Sequence, residues 1–454
     1  TDVYLTNDID LSATMMAAPD WATSTNYLQW QVVKDSANQK IYRCLQDHTS
    51  GTFADDLAAG KWEYIRDYVP DYSSSSTYSV GDEVIYNSNI YQCVVAVETP
   101  EAFDADKWVQ IGTLATGWVP LAYSSDFTGN LNGNGCIISN CFSKYTDGLV
   151  LHNGLFYSLG GSADISNLVL YGFCIDSAGA TFPTHGKCGA LASMAGSAYS
   201  GQITNVHVVK SFIKGHANSS GIIGNTGSSL YFKGFRNCSV NAVITSSYSS
   251  GPMAGIFMGI AYNNGAPTVS NCCVSARFVG TNSSQYAAGI CTYDSTSYLA
   301  NVQDCIFAGT FDGTAFSQVA GICCGNATGP TCFIKNCLNI GSVSSGAAIT
   351  TCQGISGSAD AYTSNSYFLN TFHSSAEDTA RARNAEQLRI RSTFNGWNFK
   401  RDWYLPADDN WVEKLFPPND GYPCLRTLWE IEAAEGEAEY GLLGPIRGLL
   451  GGIV

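Results

Sequence analysis

The sequence predicts an all-β protein whose main part is a parallel β-helix, a solenoid of about eight turns of about 33 residues each. Three observations predict this fold: the composition, a glycine that recurs at a fixed step, and an Asn or Asp that keeps the same step. Glycine is 46 of 454 residues and only 13% of residues are charged. Such a composition favours strands and turns over long helices.

The recurring glycine is followed by apolar residues, as in "GIFMG" and "GICCG", and successive copies lie 32 to 35 residues apart. These glycines are Gly154, Gly189, Gly221, Gly255, Gly289, Gly321 and Gly354. The second landmark comes 11 to 16 residues later and is an apolar residue, a spacer, then Asn or Asp. Its members are Asn167, Asn205, Asn237, Asn271, Asp304, Asn336 and Asn365, and Asn140 extends the series upstream.

Each repeat contains short segments such as "NCSVNAVI" in which apolar and polar residues alternate, between turn-like clusters of Gly, Ser and Asn. A unit of about 33 residues cannot bury its own apolar face, but stacked units share one continuous core. A leucine-rich repeat is excluded because the chain lacks Leu at fixed spacing. A β-propeller, with about four strands per blade, is the remaining alternative.

The repeat resembles the GLUG-motif family of parallel β-helices, which occurs in bacterial surface proteins and in some virion spikes. The resemblance covers residues 3–10 and 117 to about 428, and includes "LTNDIDLS", "GWVPL", "FTGNLNGNG", "AEQLRIRSTFNGWNF" and "GYPCLRTLW". We expect the landmark Asn side chains to bond backbone groups at the turns, stacked in a ladder. The cysteines that follow them should stack as small core residues, and they are Cys141, Cys238, Cys272, Cys305 and Cys337.

Residues 13–116 interrupt the first turn, because "NDIDLS" would otherwise run almost directly into "GWVPL". The insertion contains a duplication: "IYRC" at Ile41 and "IYQC" at Ile90 are each followed by a Lys-Trp pair. The predicted organisation is therefore a first strand (1–12), module 1 (13–67), module 2 (68–116), the repeats (117–370), a helix with a C-terminal cap (371–429), and an acidic then apolar Gly-rich tail (430–454).

Module 1 resembles repeated modules of phage tail fibres, through "IYRC…HTSGTF…DLAAGKWE", and module 2 resembles chitin-binding modules, through "YSVGDEVIYNSNIYQC" and a closing Trp. Both resemblances imply aromatic faces that stack on sugar rings. The glycan-binding candidates are Trp30, Tyr86, Trp62 and Trp108, with a core role as the alternative for the last two. Trp30 stands where module 2 has Gly81, which predicts different turns. "HTSGTF" and "DLAAGKW" are expected to form a loop and a closing strand.

After Asn365 the repeat fades, and "SSAEDTARARNAEQLRIRSTF" predicts a short helix with Asn384 as its cap and Arg389 and Arg391 in its last turn. The Trp- and Pro-rich segment that follows is expected to cover the open end of the solenoid. The apolar tail suits subunit contact.

The sequence offers no catalytic constellation: carboxylates are scattered, and Glu is absent between Asn140 and His373. We expect no cofactor, no metal site and, with a net charge of -15, no nucleic-acid partner. The leading hypothesis is an extracellular virion protein of the tail-spike or fibre type, trimeric, that meets host glycans and other virion proteins. The alternatives are a bacterial surface adhesin or fibre subunit and a polysaccharide depolymerase.

Overall fold

The computed structural model describes residues 2–398, except 124, 145–151, 178–185, 197, 217, 227–231, 260–266, 294–299, 326–331, 345, 357–361 and 373–379, and then residues 403–404, 422 and 424–425. Strands make up 50% of the chain and helices 7%. A parallel β-solenoid of about six turns occupies residues 131–368. The predicted all-β solenoid is therefore confirmed, with about six turns where about eight were expected.

Strands of successive turns pair in parallel and form five columns, of which four belong to one 28-stranded sheet. Column 1 contains Asp2–Tyr4, Asn130–Asn132, Ile165–Tyr171, Gln202–Gly215, Gly234–Arg236, Thr268–Ser270, Ala300–Gln303, Cys332–Lys335 and Tyr362–Ser364. Column 2 contains Ile9–Asp10, Ile137–Ser139, Ser239–Ser246, Cys273–Val274, Ile306–Phe307, Leu338–Asn339, Tyr367–Leu369 and Ala382–Arg383. The long strands of column 1 continue into column 2, and the strand over residues 202–215 also reaches column 3.

Columns 3 and 4 complete the large sheet, and column 5 is a separate six-stranded sheet that closes the coil. Column 3 contains Phe142–Lys144, Cys174–Asp176, Arg277–Thr281, Thr310–Ala320 and Ser342–Val343. Column 4 contains His152–Asn153, Lys187–Cys188, Ser219–Ser220, Met253–Ala254, Tyr286–Ala288 and Ala348–Gln353. Column 5 contains Phe156–Leu159, Ala192–Ala195, Ile223–Thr226, Phe257–Gly259, Cys291–Tyr293 and Cys323–Gly325.

The glycine landmark marks the place where successive turns approach most closely. A Cβ at Gly289 would collide with the carbonyl oxygen of Gly321, and a Cβ at Gly255 with that of Gly289. Only glycine allows the backbones to stack at this point, which explains why the residue recurs with the period of one turn.

The predicted ladder is present from Asn167 onward, with side chains that bond one another where bonds to backbone groups were expected, but Asn140 is not part of it. Ser139 pairs with Tyr171, which places Asn140 at a later corner of the coil, and Nδ2 of Asn167 donates to Oδ1 of Asn132 at 3.1 Å. All eight landmark residues, from Asn140 to Asn365, have left-handed backbones with φ between 47° and 60°. The Nδ2 of Asn205 donates to Oδ1 of Asn167 at 2.9 Å, Asn237 donates to Asn205 at 2.9 Å, and Asn271 donates to Asn237 at 3.1 Å. Asn and Asp tolerate the left-handed region better than other residues with a Cβ, so one residue type supplies both the turn and the ladder.

The cysteines that follow the ladder residues are buried, as predicted. Four of the five thiols each donate a hydrogen bond to the carbonyl oxygen two residues earlier in the chain. The distances are 3.4 Å for Cys238, 3.2 Å for Cys272, 3.2 Å for Cys305 and 3.3 Å for Cys337. Cys141 lies elsewhere in the core and is not part of the predicted stack, since the next residue, Phe142, pairs with Cys174 in column 3. None of these five cysteines forms a disulfide.

The segments before and after the insertion lie in adjacent strands, because Val3 pairs with Leu131 and Ile9 with Ile138. Module 1 follows the 3-10 helix Ser12–Ala17 and contains the strands Asn26–Tyr27, Val32–Asp35, Lys40–Cys44, His48–Thr49 and Trp62–Asp67. Module 2 contains the strands Glu83–Tyr86, Asn89–Cys93 and Trp108–Thr113 and the 3-10 helix Ala105–Lys107. Module 1 thus contains a two-stranded and a three-stranded antiparallel sheet, and module 2 contains one three-stranded antiparallel sheet.

Two expectations about the modules were wrong. The segment expected to be a loop and a closing strand contains the α-helix Phe53–Ala58, whose cap Thr52 accepts a hydrogen bond from the N–H of Asp55. The turns at Trp30 and Gly81 are also alike: φ is 70° and 99°, and their N–H groups donate to the carbonyls of Cys44 and Cys93. Trp30 therefore adopts a backbone that ordinarily favours glycine.

Module 1 is fastened to the solenoid by a buried arginine. The Nη2 of Arg43 donates to Oδ1 of Asn140 at 2.7 Å and to the carbonyl oxygen of Gly172 at 3.2 Å, and its Nη1 lies 3.3 Å from Oε2 of Glu63. Around it, apolar side chains of the insertion pack on column 3 of the solenoid. The insertion contributes Met15, Val32, Ile41 and Ile90, and the solenoid contributes Phe142, Phe212 and Val243. An ion pair between Asp47 of module 1 and Arg277 of the solenoid also joins the two.

The described part of the C-terminal region forms 3-10 turns, Gln387–Arg389 and Arg391–Thr393, instead of one longer helix. Asn384 makes a capping contact with the first turn only, because its Oδ1 accepts from the N–H of Gln387 at 2.8 Å, and the residue that directly precedes that turn is Glu386. Trp403–Tyr404 pairs with Cys424–Leu425, and Trp403 packs with Trp397 against the last turns. Most of the predicted cap and the whole tail lie outside the described residues. Within the described ranges, no helix has the length and apolarity needed to span a membrane.

Candidate functional site

A pocket of about 500 Å³ on module 1 combines aromatic and polar side chains. Its apolar residues are Trp21, Ala37, Phe53, Ala54 and Leu57, and its polar residues are Asp20, Lys34, Asp35, Ser36 and Asn38. This volume lies within the range of small-molecule sites, which typically pair an apolar wall with a few placed polar groups.

Three elements position the pocket. The extended segment around Asp20 lies beside the strand Val32–Asp35, since the N–H of Trp21 donates to the carbonyl of Lys34 at 2.8 Å. The turn after that strand supplies Ser36 to Asn38. Helix Phe53–Ala58 supplies the opposite wall.

The aromatic wall is held from behind by the core of the module. The rings of Trp21 and Phe53 meet edge to face with centroids 5.4 Å apart, and Phe53 contacts Tyr42 at 4.9 Å. The indole N–H of Trp21 is buried and has no acceptor within the described part of the chain. An unsatisfied buried donor costs about 1–3 kcal/mol.

The polar residues of the pocket form a rim, in which they are joined by a local network of hydrogen bonds. The carboxylate of Asp35 accepts from the N–H of Ala37 at 3.1 Å and from Nδ2 of Asn38 at 2.7 Å. The hydroxyl of Ser36 donates to Oδ1 of Asp20 at 2.6 Å, and Nζ of Lys34 lies 3.8 Å from the same oxygen. The rim therefore holds carboxylates, an ammonium and an amide in a fixed arrangement that can bind hydroxyl groups.

Helix Phe53–Ala58 is anchored by Asp56, whose carboxylate accepts from Nζ of Lys61 at 2.8 Å and from the N–H of Gly51 at 3.0 Å. Desolvation acts to raise the pKa of Asp56, but the hydrogen bond from Lys61 and the other contacts hold that pKa below its ordinary value. The wall that carries Phe53 therefore rests on an ionised aspartate.

None of the four predicted glycan-binding residues lines this pocket, although Trp62 packs behind its wall, with its ring centroid 6.0 Å from that of Phe53. Trp62 and Trp108 are buried in the cores of their modules, with 4% and 5% of their surface exposed, as the core alternative predicted. Trp30 packs partly buried at the junction with the solenoid, where Nζ of Lys210 lies 5.8 Å from its ring centroid. Tyr86 is half-buried and stacks on Phe103, with centroids 4.0 Å apart and planes 10° apart.

Of these four, Tyr86 offers a half-exposed ring within an aromatic cluster. That cluster also contains Tyr72, Tyr78, Tyr91 and Phe103. The rings of Trp62 and Trp108 would have to leave their cores to stack on a sugar.

Sequence reasoning missed the pocket because its residues are far apart in the chain. A usable signal existed: "TFAD" has the Thr-x-x-Asp spacing of a helix N-terminus, and Gly60 follows at the C-terminal end with φ of 70°. A helix at that point would have brought Phe53 against the strand that ends at Asp35.

No protein-family model matches this chain, and no curated protein is similar to it.

Proposed function

We propose that this protein is an extracellular structural protein that displays glycan-binding modules on a rigid β-solenoid, at the surface of a virion. The pocket on module 1 is the observation that carries the proposal. It joins an aromatic wall at Trp21 and Phe53 to a rim of hydrogen-bonding groups, which is the combination that sugar recognition requires.

The rim suggests the ligand class. Asp20 and Asp35 face Lys34, so the pocket is not a cluster of positive charge, and the chain as a whole carries a net charge of -15. Electrostatic repulsion would oppose binding of a strongly anionic polysaccharide. We therefore propose a neutral host-surface polysaccharide, whose C–H faces stack on the aromatic wall and whose hydroxyls meet Asp20, Ser36 and Asn38.

The attachment of module 1 to the solenoid supports a role in presenting the pocket to a ligand. Arg43 and the apolar interface hold module 1 against the solenoid, so the pocket has a fixed orientation relative to the long axis. Several copies held in this way would bind a repetitive polysaccharide with avidity. A homotrimer that contacts other virion proteins is part of the proposal.

The test is glycan-array and calorimetric binding with the full chain. Trp21→Ala should weaken binding by more than about tenfold, because it removes the ring on which the sugar stacks. Tyr4→Ala, which removes a ring that is 61% exposed on the solenoid, is the matched control and should bind as wild type does. Tyr86→Ala tests whether module 2 contributes to glycan binding. The absence of binding to any neutral glycan, or equal binding by the Trp21 and Tyr4 variants, would refute the proposal.

A further inference from the structure

Three cysteine side chains converge inside the solenoid. The Sγ atoms of Cys291, Cys323 and Cys332 all lie within 4.8 Å of one another, and those of Cys291 and Cys323 are 3.2 Å apart. All three residues have 0% of their surface exposed. No other group of three or more His, Cys, Asp or Glu with metal-ligand spacing occurs among the described residues.

The strand register explains the convergence. Cys291 and Cys323 are direct partners in column 5, where the preceding turns place Phe257 and Ile223 at the same position. Cys332 comes from column 1, on the other sheet, where it pairs with Ala300. Two adjacent turns therefore replace bulky side chains by cysteine, and a third sulfur reaches the same space from across the core.

This arrangement differs from that of the ladder cysteines. The thiols of Cys272, Cys305 and Cys337 each turn back to a carbonyl oxygen two residues away. Thiol–thiol hydrogen bonds also join ladder cysteines of successive turns, but those cysteines come one from each turn at the same position. Cys291 and Cys323 also place sulfur against sulfur, and Cys332 joins them from the other sheet. Simple filling of core volume explains the ladder, but it does not explain why three sulfur atoms from two sheets share one point.

We propose that Cys291, Cys323 and Cys332 form a buried site for one soft, thiophilic cation. A metal at about 2.3 Å from each of three sulfurs requires sulfur separations of about 4.0 Å. The observed separations, 3.2 Å for the closest pair and within 4.8 Å for all, bracket that value. Movements of the sulfur atoms by less than about 1 Å would place all three at bonding distance from one ion.

The apolar surroundings and the sulfur donors of the site determine which metal ion fits it. The site is lined by the apolar core, and sulfur is the sole donor type in the cluster. Thiolate donors select Cu(I) and Zn(II) among common ions, and closed Zn(II) sites need a fourth ligand. Cu(I) is stable with three sulfurs, so it is the ion that this site fits best. Binding displaces thiol protons to solvent and transfers no electron.

The experiment is an anaerobic titration of the full, reduced protein with Cu(I) against a chromogenic chelator, with Zn(II) as a parallel arm. We expect one Cu(I) bound per chain and an affinity at least about 100-fold lower in Cys291→Ala, Cys323→Ala and Cys332→Ala. Cys188→Ala is the matched control, since Cys188 is equally buried in another part of the core, and it should bind as wild type does.

X-ray absorption of the Cu(I)-loaded wild type gives a test that does not depend on any variant folding. Three sulfur scatterers at about 2.3 Å are expected. Nitrogen or oxygen ligands, unchanged affinity in Cys332→Ala, a Zn(II) complex tighter than that of Cu(I), or a Cys291–Cys323 disulfide in the purified protein would each overturn the proposal. These measurements are independent of glycan binding.

Discussion

Replacing Asn237 tests whether the Asn ladder holds the turns together. Its side chain donates to Oδ1 of Asn205 at 2.9 Å and accepts from Nδ2 of Asn271 at 3.1 Å, and its backbone has φ of 53°. Asn237→Ala removes both hydrogen bonds, each worth about 1 kcal/mol, and deprives two buried partners of this contact. It also places alanine in the left-handed region, at about 1–2 kcal/mol. We expect a loss of about 3–5 kcal/mol in unfolding free energy.

Asn237→Gly separates the two causes. Glycine also removes the hydrogen bonds but adopts positive φ without strain, so its loss should be smaller by about 1–2 kcal/mol. Asn301→Ala is the control, because Asn301 lies in column 1 without a left-handed backbone, and it should stay within about 0.5 kcal/mol of wild type.

The assay is urea unfolding followed by circular dichroism, with the variants and wild type measured in parallel. If Asn237→Ala unfolds at the same urea concentration as Asn301→Ala, the ladder does not stabilise the solenoid. If the alanine and glycine variants are equally destabilised, backbone strain at this position is negligible.

Three further predictions concern other parts of the molecule. Burial lowers the pKa of His207 to about 4, so between about pH 6.5 and pH 4 the unfolded chain binds a proton that the folded chain excludes. The free energy of unfolding should therefore fall by about 3 kcal/mol as the pH drops through this range, and His207→Gln should flatten the pH profile of thermal unfolding. Arg43→Leu removes the hydrogen bonds to Asn140 and Gly172, and should speed amide exchange in module 1 without changing exchange in the solenoid; equal exchange would show that the apolar interface suffices. Gly81→Ala places a Cβ in open space at φ of 99°, and should lower thermal stability by about 1–2 kcal/mol through backbone strain alone.

The repeat was predictable because each turn of a solenoid requires the same residue types at the same positions. Gly289 recurs where backbones nearly touch, and Asn237 where a left-handed turn is needed, so the fold class could be predicted from position and residue type together. The buried role of Cys272 and its equivalents followed from the same period.

The candidate sites were not predictable in this way, because they depend on contacts between residues without a shared period. Trp21 and Phe53 meet through a six-residue helix, and Cys332 meets Cys291 across two sheets. The turn at Trp30 escaped prediction for a different reason: hydrogen bonding and packing impose a glycine-like backbone on a tryptophan.

The pairing of the first strand with the strand after the insertion has a consequence for the order of folding. Asp2 and Asn130 are 128 residues apart, whereas ladder partners in successive turns are 32 to 38 apart. Closing the longer loop costs about 1 kcal/mol more in chain entropy, and it requires the whole insertion to have been synthesised. We therefore expect the repeats to form turn by turn from their own neighbours, and the N-terminal strand to join last, after the two modules have folded and brought the chain back to that strand.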